Sequence, residues 1–148
     1  MNNLEKLQKN IDYKVLSIKH IGSRGEGVSS LTTEINYRKS NYNFFVPFTL
    51  PDEIVVVKPT HLTAEGVRAD LVEIKSSSPK RIEPECEHFF QCGGCLLQHW
   101  NFEDYTCWKV GKVSVPIIRI SPTTRIKTIK TSLIKSRRHA KFKAKKNK

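Results

Sequence analysis

A chain of 148 residues with a net charge of +12 and a hydrophobic fraction of 38% has room for one ordinary domain or two small ones around a modest core. No apolar run approaches the ~18 residues of a membrane span, and Met1-Asn-Asn-Leu-Glu-Lys-Leu lacks the apolar centre of a signal peptide. The expectation is a cytoplasmic chain with no membrane partner, whose four cysteines are ligands or free thiols rather than disulfides.

Residues 1–11 read as a ragged leader. Tyr13, Val15, Ile18 and Ile21 then define a first strand, closed by the glycine-punctuated turn Gly22-Ser-Arg-Gly25-Glu-Gly27. Val28 to Ile35 forms a second strand, Asn36 to Asn41 a turn, and Tyr42 to Phe48 a third strand. After Leu50-Pro51-Asp52-Glu53, the run Ile54-Val-Val-Val57 is a fourth strand, and Gly66 to Ile74 a fifth. Five short strands with glycine or proline turns predict a mainly β fold, with a small five-stranded barrel of the OB type over residues 12–76. Such barrels commonly bind single-stranded nucleic acid, although a generic β-domain with a protein partner shows the same strand pattern.

The glycine turn does not have the G-x-G-x-x-G order of a dinucleotide loop, and a strand follows where a helix is needed. It reads as a β-turn, with Arg24 at its tip as a candidate phosphate contact.

Residues 77–112 hold a linker, Ser76-Ser-Ser-Pro79, then a cysteine-rich segment and a short helix over 101–112 with Asn101 as its N-cap. Val113-Ser-Val-Pro-Ile-Ile is read as extended, opening a basic segment over 113–148. Charge is unevenly spread along the chain. Residues 1–108 carry 12 Lys and Arg against 14 Asp and Glu, while residues 109–148 carry 14 Lys and Arg and no acid. That block favours a polyanion through counterion release, and the plainer reading is a solvated basic tail.

The most informative segment is Cys86-Glu-His-Phe-Phe-Gln-Cys92-Gly-Gly-Cys95, followed by Gln98, His99 and Trp100. Thiolates at C-x5-C-x2-C spacing suit one soft metal centre, and Gly93-Gly94 lets the backbone wrap closely. Three readings follow. Cys86, Cys92 and Cys95 supply three of four thiolates of a [4Fe-4S] cluster. Alternatively they bind zinc, with Cys107, His88 or His99 completing a tetrahedron. The third reading is free thiols. By spacing alone zinc is slightly favoured as the commoner site. Glu83, Glu85 and Glu87 read as a solvated acidic face, and no paired carboxylates or Ser/His/Asp arrangement marks a catalytic centre.

Barrel, linker, cysteine segment and Gln98-His99-aromatic, in that order, resemble the N-terminal half of the bacterial RNA (uracil-5-)-methyltransferases of 23S ribosomal or transfer RNA. The barrel resembles their TRAM domain. The matching residues are Gly22, Gly25, Gly27 and Val28; Phe45-Val46-Pro47-Phe48 with Leu50-Pro51-Asp52-Glu53; Ser78-Pro79-Lys80-Arg81-Ile82 with Pro84 and Cys86; Cys92-Gly-Gly-Cys95 with Leu97-Gln98-His99; and Phe102-Glu103 with Lys109. Ser136-Arg137-Arg138 with Ala140-Lys141-Phe142 resembles the basic strand opening the next region. Where Asp52 stands, the family usually has glycine.

The resemblance implies a [4Fe-4S] cluster on Cys86, Cys92 and Cys95, against the zinc preference, and an RNA partner, ribosomal or transfer. Arg24, Lys135, Arg137, Arg138, Lys141 and Lys143 are its candidate RNA contacts. The family's chemistry is methyl transfer from S-adenosylmethionine to uracil C5. Its S-adenosylmethionine site, nucleophile, base and fourth cluster cysteine lie in a later region, so no catalytic residue is carried over. The expectation is a truncated or split homologue, inactive alone, whose methyltransferase domain and S-adenosylmethionine come with a separate chain. The alternative is a stand-alone RNA-binding module with a structural iron–sulfur or zinc site. Cys107 falls where the family has no ligand and is the weak candidate for a fourth.

Overall fold

In a computed structural model the chain is described over residues 13–35, 37–126 and 129–130. The expected leader, and the candidates Lys135, Arg137, Arg138, Lys141 and Lys143, lie outside the described residues.

The described chain is mainly β. Six strands, β1 (Lys14–Ser17), β2 (His20–Ile21), β3 (Gly27–Ile35), β4 (Arg38–Val46), β5 (Ile54–Thr63) and β6 (Gly66–Ser76), form one sheet in the order β1-β5-β6-β4-β3-β2. All pairings are antiparallel except β4 with β6. Alternation along the strands sets the core. Phe44 and Val46 of β4, Val55 and Val57 of β5, and Val67 and Ala69 of β6 point to one buried face, joined by Leu16 and Ile18.

The sequence gives one strand over Tyr13–Ile21, but the structure divides it at Ile18-Lys19. The cause is a change of partner. β1 pairs with β5, Ile18 N donates to the Glu53 carbonyl at 2.9 Å, Lys19 N donates to the Val28 carbonyl at 2.8 Å, and β2 continues along β3. The two outer strands of the sheet are thus successive stretches of chain.

The strands are also longer than the local pattern indicates. β4 begins at Arg38, inside the expected turn, and β5 runs through Pro59 to Thr63, with shifts of register around the proline.

Two helices follow, α1 (Phe89–Cys92) and α2 (Phe102–Ile120). The side chain of Asn101 accepts a hydrogen bond from Asp104 N, Glu103 and Asp104 occupy the first turn, and Arg119 the last. α2 corrects the extended reading of residues 113–118 and the end of the short helix placed at 112. Val113, Val115 and Ile117 alternate with Ser114 and Pro116, a period-two pattern that resembles a strand. The capped helix carries through Pro116 and stops at Ser121, whose extended backbone precedes Pro122. Trp100 joins Ile21, Leu50 and Leu97 in a second small core, against which Tyr105 and Trp108 of α2 pack.

Candidate cysteine site and nucleic-acid surface

The cysteine segment is an excursion pinned at its base. Arg81 and Trp100 form an antiparallel bridge, Ile82 N donates to the His99 carbonyl at 2.9 Å, and Asn101 N donates to the Lys80 carbonyl at 3.0 Å. At its far end, Phe89 N donates to the Cys86 carbonyl and Cys92 N to the His88 carbonyl, closing the single turn of α1 between the two cysteines. Phe89 is the anchor. It is buried edge-on against Phe48, with ring centroids 5.3 Å apart, and lies 5.2 Å from the ring of His99. Gly93, at φ +68°, ends the turn in the left-handed region that glycine favours.

A second anchor holds the excursion to the sheet. The Arg81 guanidinium donates Nε to Glu53 Oε1 at 2.6 Å and Nη2 to Glu53 Oε2 at 2.9 Å, while Nη2 also reaches the Phe48 carbonyl. The carboxylate further accepts from Leu50 N and Ser78 N. Burial alone would raise the Glu53 carboxyl. The Arg81 hydrogen bonds, the two backbone donors and the guanidinium charge outweigh it and hold the group below the ordinary carboxylate range.

Cys86 and Cys92 are exposed, Cys95 is half-buried, and all four cysteines are free thiols. Among the described residues, no group of three or more Cys, His, Asp or Glu side chains converges as metal ligands do. Two histidines, His88 and His99, are the candidates for completing a zinc tetrahedron. His88 is exposed beside Glu87, and His99 is fully buried. Burial pushes the His99 imidazole down to about 4, reinforced by the Arg81 charge and opposed by Glu53 and the Thr49 backbone. Cys107 is exposed on α2, close enough to Lys80 to influence its ammonium group. The acidic residues Glu83, Glu85 and Glu87 are exposed.

Arg24 does sit at the tip of the glycine turn, where it forms an exposed ion pair with Glu65 at 3.3 Å. Glu65 also meets Arg68, which bonds Glu26 at 3.0 Å and lies over the Phe45 ring. The turn's own role is packing. A side chain at Gly25 would press on Leu96, so the turn abuts the cysteine segment. Sequence reading missed the Glu53–Arg81 anchor, although both residues lie in quoted motifs.

One further concavity, a cleft of about 490 Å³, opens between the outer half of the β3–β4 hairpin and the β5–β6 turn.

The class of protein that this chain resembles by direct comparison is the RNA methyltransferases. It is 38% identical over 102 residues to an uncharacterised RNA methyltransferase of Caulobacter vibrioides, covering 69% of this chain and 22% of that protein. A second uncharacterised RNA methyltransferase, from Brucella suis, is 34% identical over 126 residues, 77% of this chain and 27% of its own length. The more specific likeness is to the 23S rRNA (uracil(1939)-C(5))-methyltransferase RlmD of Shewanella sediminis, 30% identical over 122 residues, 82% of this chain and 25% of that enzyme. The chain therefore spans about a quarter of the length of these curated relatives. No family model matches the chain. No helix among the described residues is long and apolar enough to cross a membrane.

Proposed function

We propose that this chain serves RNA uracil-5 methylation as an RNA-binding and cysteine-bearing segment in the cytoplasm. The observation that carries the reading is the likeness to RNA methyltransferases, RlmD among them, over most of the chain. The fold is consistent with it. Because β1 and β2 are the two outer strands of the sheet and follow one another in sequence, we read the sheet as curling into an OB-like barrel of the TRAM type. Such a barrel offers a surface to single-stranded RNA, and the basic residues after 108 add sequence-independent attraction to phosphate.

In the same reading Cys86, Cys92 and Cys95 hold three corners of a [4Fe-4S] cluster, with zinc as the competing metal. The donor chemistry fits, since three free thiols are carried on one pinned excursion and two of them are exposed. So does the local backbone, because a side chain at Gly94 would crowd the Cys92 sulfur at 3.3 Å. A bound cluster would stiffen the excursion, while the chain's own residues dock it on the sheet through Phe89 and Arg81. Methyl transfer from S-adenosylmethionine would fall to a catalytic domain outside these residues.

The test is binding of the purified chain to fragments of 23S ribosomal RNA and to transfer RNA across a salt series. Affinity should fall steeply with salt, and preference for one RNA names the substrate class. No binding at low salt would remove the proposal.

A further inference from the structure

The cleft between the two hairpins has a topological cause. β4 and β6 pair in parallel only at Phe44 with Val67 and Phe45 with Arg68. Just before that contact the Asn43 carbonyl approaches Gly66 so closely that a side chain there would collide with it. Beyond it the strands part. Arg38 to Asn43 keep their ladder to β3, while their other edge faces the space lined by Arg38, Asn41, Tyr42, Asn43, Thr63 and Glu65.

That lining joins planar and hydrogen-bonding groups to the apolar side chains of Ile35, Leu62 and Ala64. Tyr42 contributes a half-buried ring, and Asn41 and Asn43 carry amides able to donate and accept. Glu65, the one acid in the lining, already pairs with both Arg24 and Arg68. At the end of the hairpin, beside Arg38, stands Tyr37, 93% exposed. Its backbone is at φ +62°, a left-handed conformation that an aromatic residue adopts only at a cost. The ring faces solvent next to Arg38, at the two-residue turn that joins β3 to β4, a connection that commonly sets positive φ.

We propose that this cleft, together with the hairpin end next to it, is a nucleobase site, in which the exposed Tyr37 at that end is a stacking platform for an unpaired base of single-stranded RNA and Asn41 and Asn43 of the cleft meet the edges of the neighbouring base. Arg38 and Lys39 meet the phosphates that connect them. The proposal rests on the RNA-binding reading above and adds to it a place and a ligand class. An extended peptide adding to the free edge of β4 is the competing occupant. The cationic rim and the amide lining favour RNA, because strand addition needs neither.

The experiment uses the whole chain and a fluorescently labelled single-stranded oligouridine of about 10 nucleotides, within the span that one OB-type surface covers. Tyr37→Gly removes the ring and relieves the backbone, so the variant should fold at least as well as the parent, as thermal unfolding will show. Its RNA affinity should fall about tenfold, in keeping with loss of one base stack. Tyr37→Trp should restore it, and Asn41→Ala with Asn43→Ala should weaken binding without altering the salt dependence. If the parent binds the oligonucleotide and all these variants bind equally well, the nucleobase site is refuted while the RNA-binding reading stands. If the parent binds no RNA, the reading beneath it fails instead. Protection of the β4 amides by an extended peptide, undiminished by excess oligonucleotide, would also refute it.

Discussion

Arg81 grips the fully buried carboxylate of Glu53 with two parallel hydrogen bonds, and through that contact the start of the cysteine segment is fastened to the turn between β4 and β5. Two chain segments far apart in sequence are held at one point by a bidentate charge pair, the geometry for which guanidinium is suited and ammonium is not. The stretches that carry the two residues also carry the resemblance noted in the sequence, and there they dock the cysteine segment on the sheet.

Arg81→Ala leaves the Glu53 charge buried without its partner. Chemical denaturation at neutral pH should show a loss of about 3 kcal/mol, the lower end for breaking a buried pair. Without Arg81 the buried Glu53 carboxyl gives up its charge more readily, so as pH falls through the carboxylate range the deficit should narrow. Equal stability of variant and parent at neutral pH would mean that the contact does not form.

His99 makes stability depend on pH. Its ordinary value near 6.5 falls to about 4 in the folded chain. The folded state therefore binds fewer protons than the unfolded state between those values. Stability is complete above about 6.5, declines as pH falls towards 4, and loses on the order of 3 kcal/mol across that window. Glu53, with its carboxyl held low, adds a second loss that begins as pH drops through 4.5. His99→Phe keeps a ring against Phe89 and has no proton to gain. Denaturation midpoints measured from pH 7 to pH 4 should be flatter in that variant, and an unchanged slope would assign the effect to another group.

Gly27 was legible in the sequence as part of a glycine turn, but its reason is different. It lies in β3, where a side chain would collide with Thr49 Oγ1 and come within 2.9 Å of Ile18 Cγ2. Thr49 is itself fully buried and bonded to the Val46 carbonyl, so it has little room to yield. Gly27→Ala should cost about 2 kcal/mol or more by overpacking, read as a lowered melting temperature. An alanine variant as stable as the parent would show that the close approach relaxes freely.

Asp52 sits at φ +70° in the same turn as Glu53, at the position where the resembled family usually has glycine. Asp52→Gly removes the crowding of a side chain in the left-handed region and should raise stability by about 0.5 kcal/mol, since aspartate bears that conformation better than most residues. A loss instead would mean that its carboxylate, which is near Lys80, matters more than its backbone.

These positions show which parts of the fold the sequence displays. Strands β4 to β6 announce themselves because Phe44, Val46, Val55, Val57, Val67 and Ala69 alternate with more exposed neighbours, a signal confined to a few residues. The division of the first strand depends on Glu53 and Val28 as partners of Ile18 and Lys19, and the pinning of the cysteine segment depends on Arg81 meeting Glu53 and on Gly25 meeting Leu96. Such contacts join residues tens of positions apart and leave no period to read. The helix over residues 113–120 was hidden for the opposite reason, because a local alternation of valines pointed to a strand while the cap at Asn101 set the outcome from the preceding turns. Of the candidate site, the three cysteines and the glycine pair were visible as composition. The burial of His99 was not.

The cysteines give the most direct chemical test of the site. Purified without oxygen, the full chain should contain iron and acid-labile sulfide, with the broad visible absorption of thiolate-bound iron. Replacing Cys86, Cys92 or Cys95 by serine should remove most of that iron, because each would supply one corner of the same cluster. Cys107→Ser should leave the iron content unchanged, since Cys107 lies on α2 beside Lys80. Loss of the cluster, by chelation or by Cys92→Ser, should loosen the excursion beyond Phe89 and speed amide exchange there, while the sheet, whose core is closed by its own strands, keeps its protection. Stoichiometric zinc without sulfide would overturn the cluster in favour of a zinc site, and metal-free protein that takes up neither iron nor zinc on reconstitution would return the three residues to simple thiols.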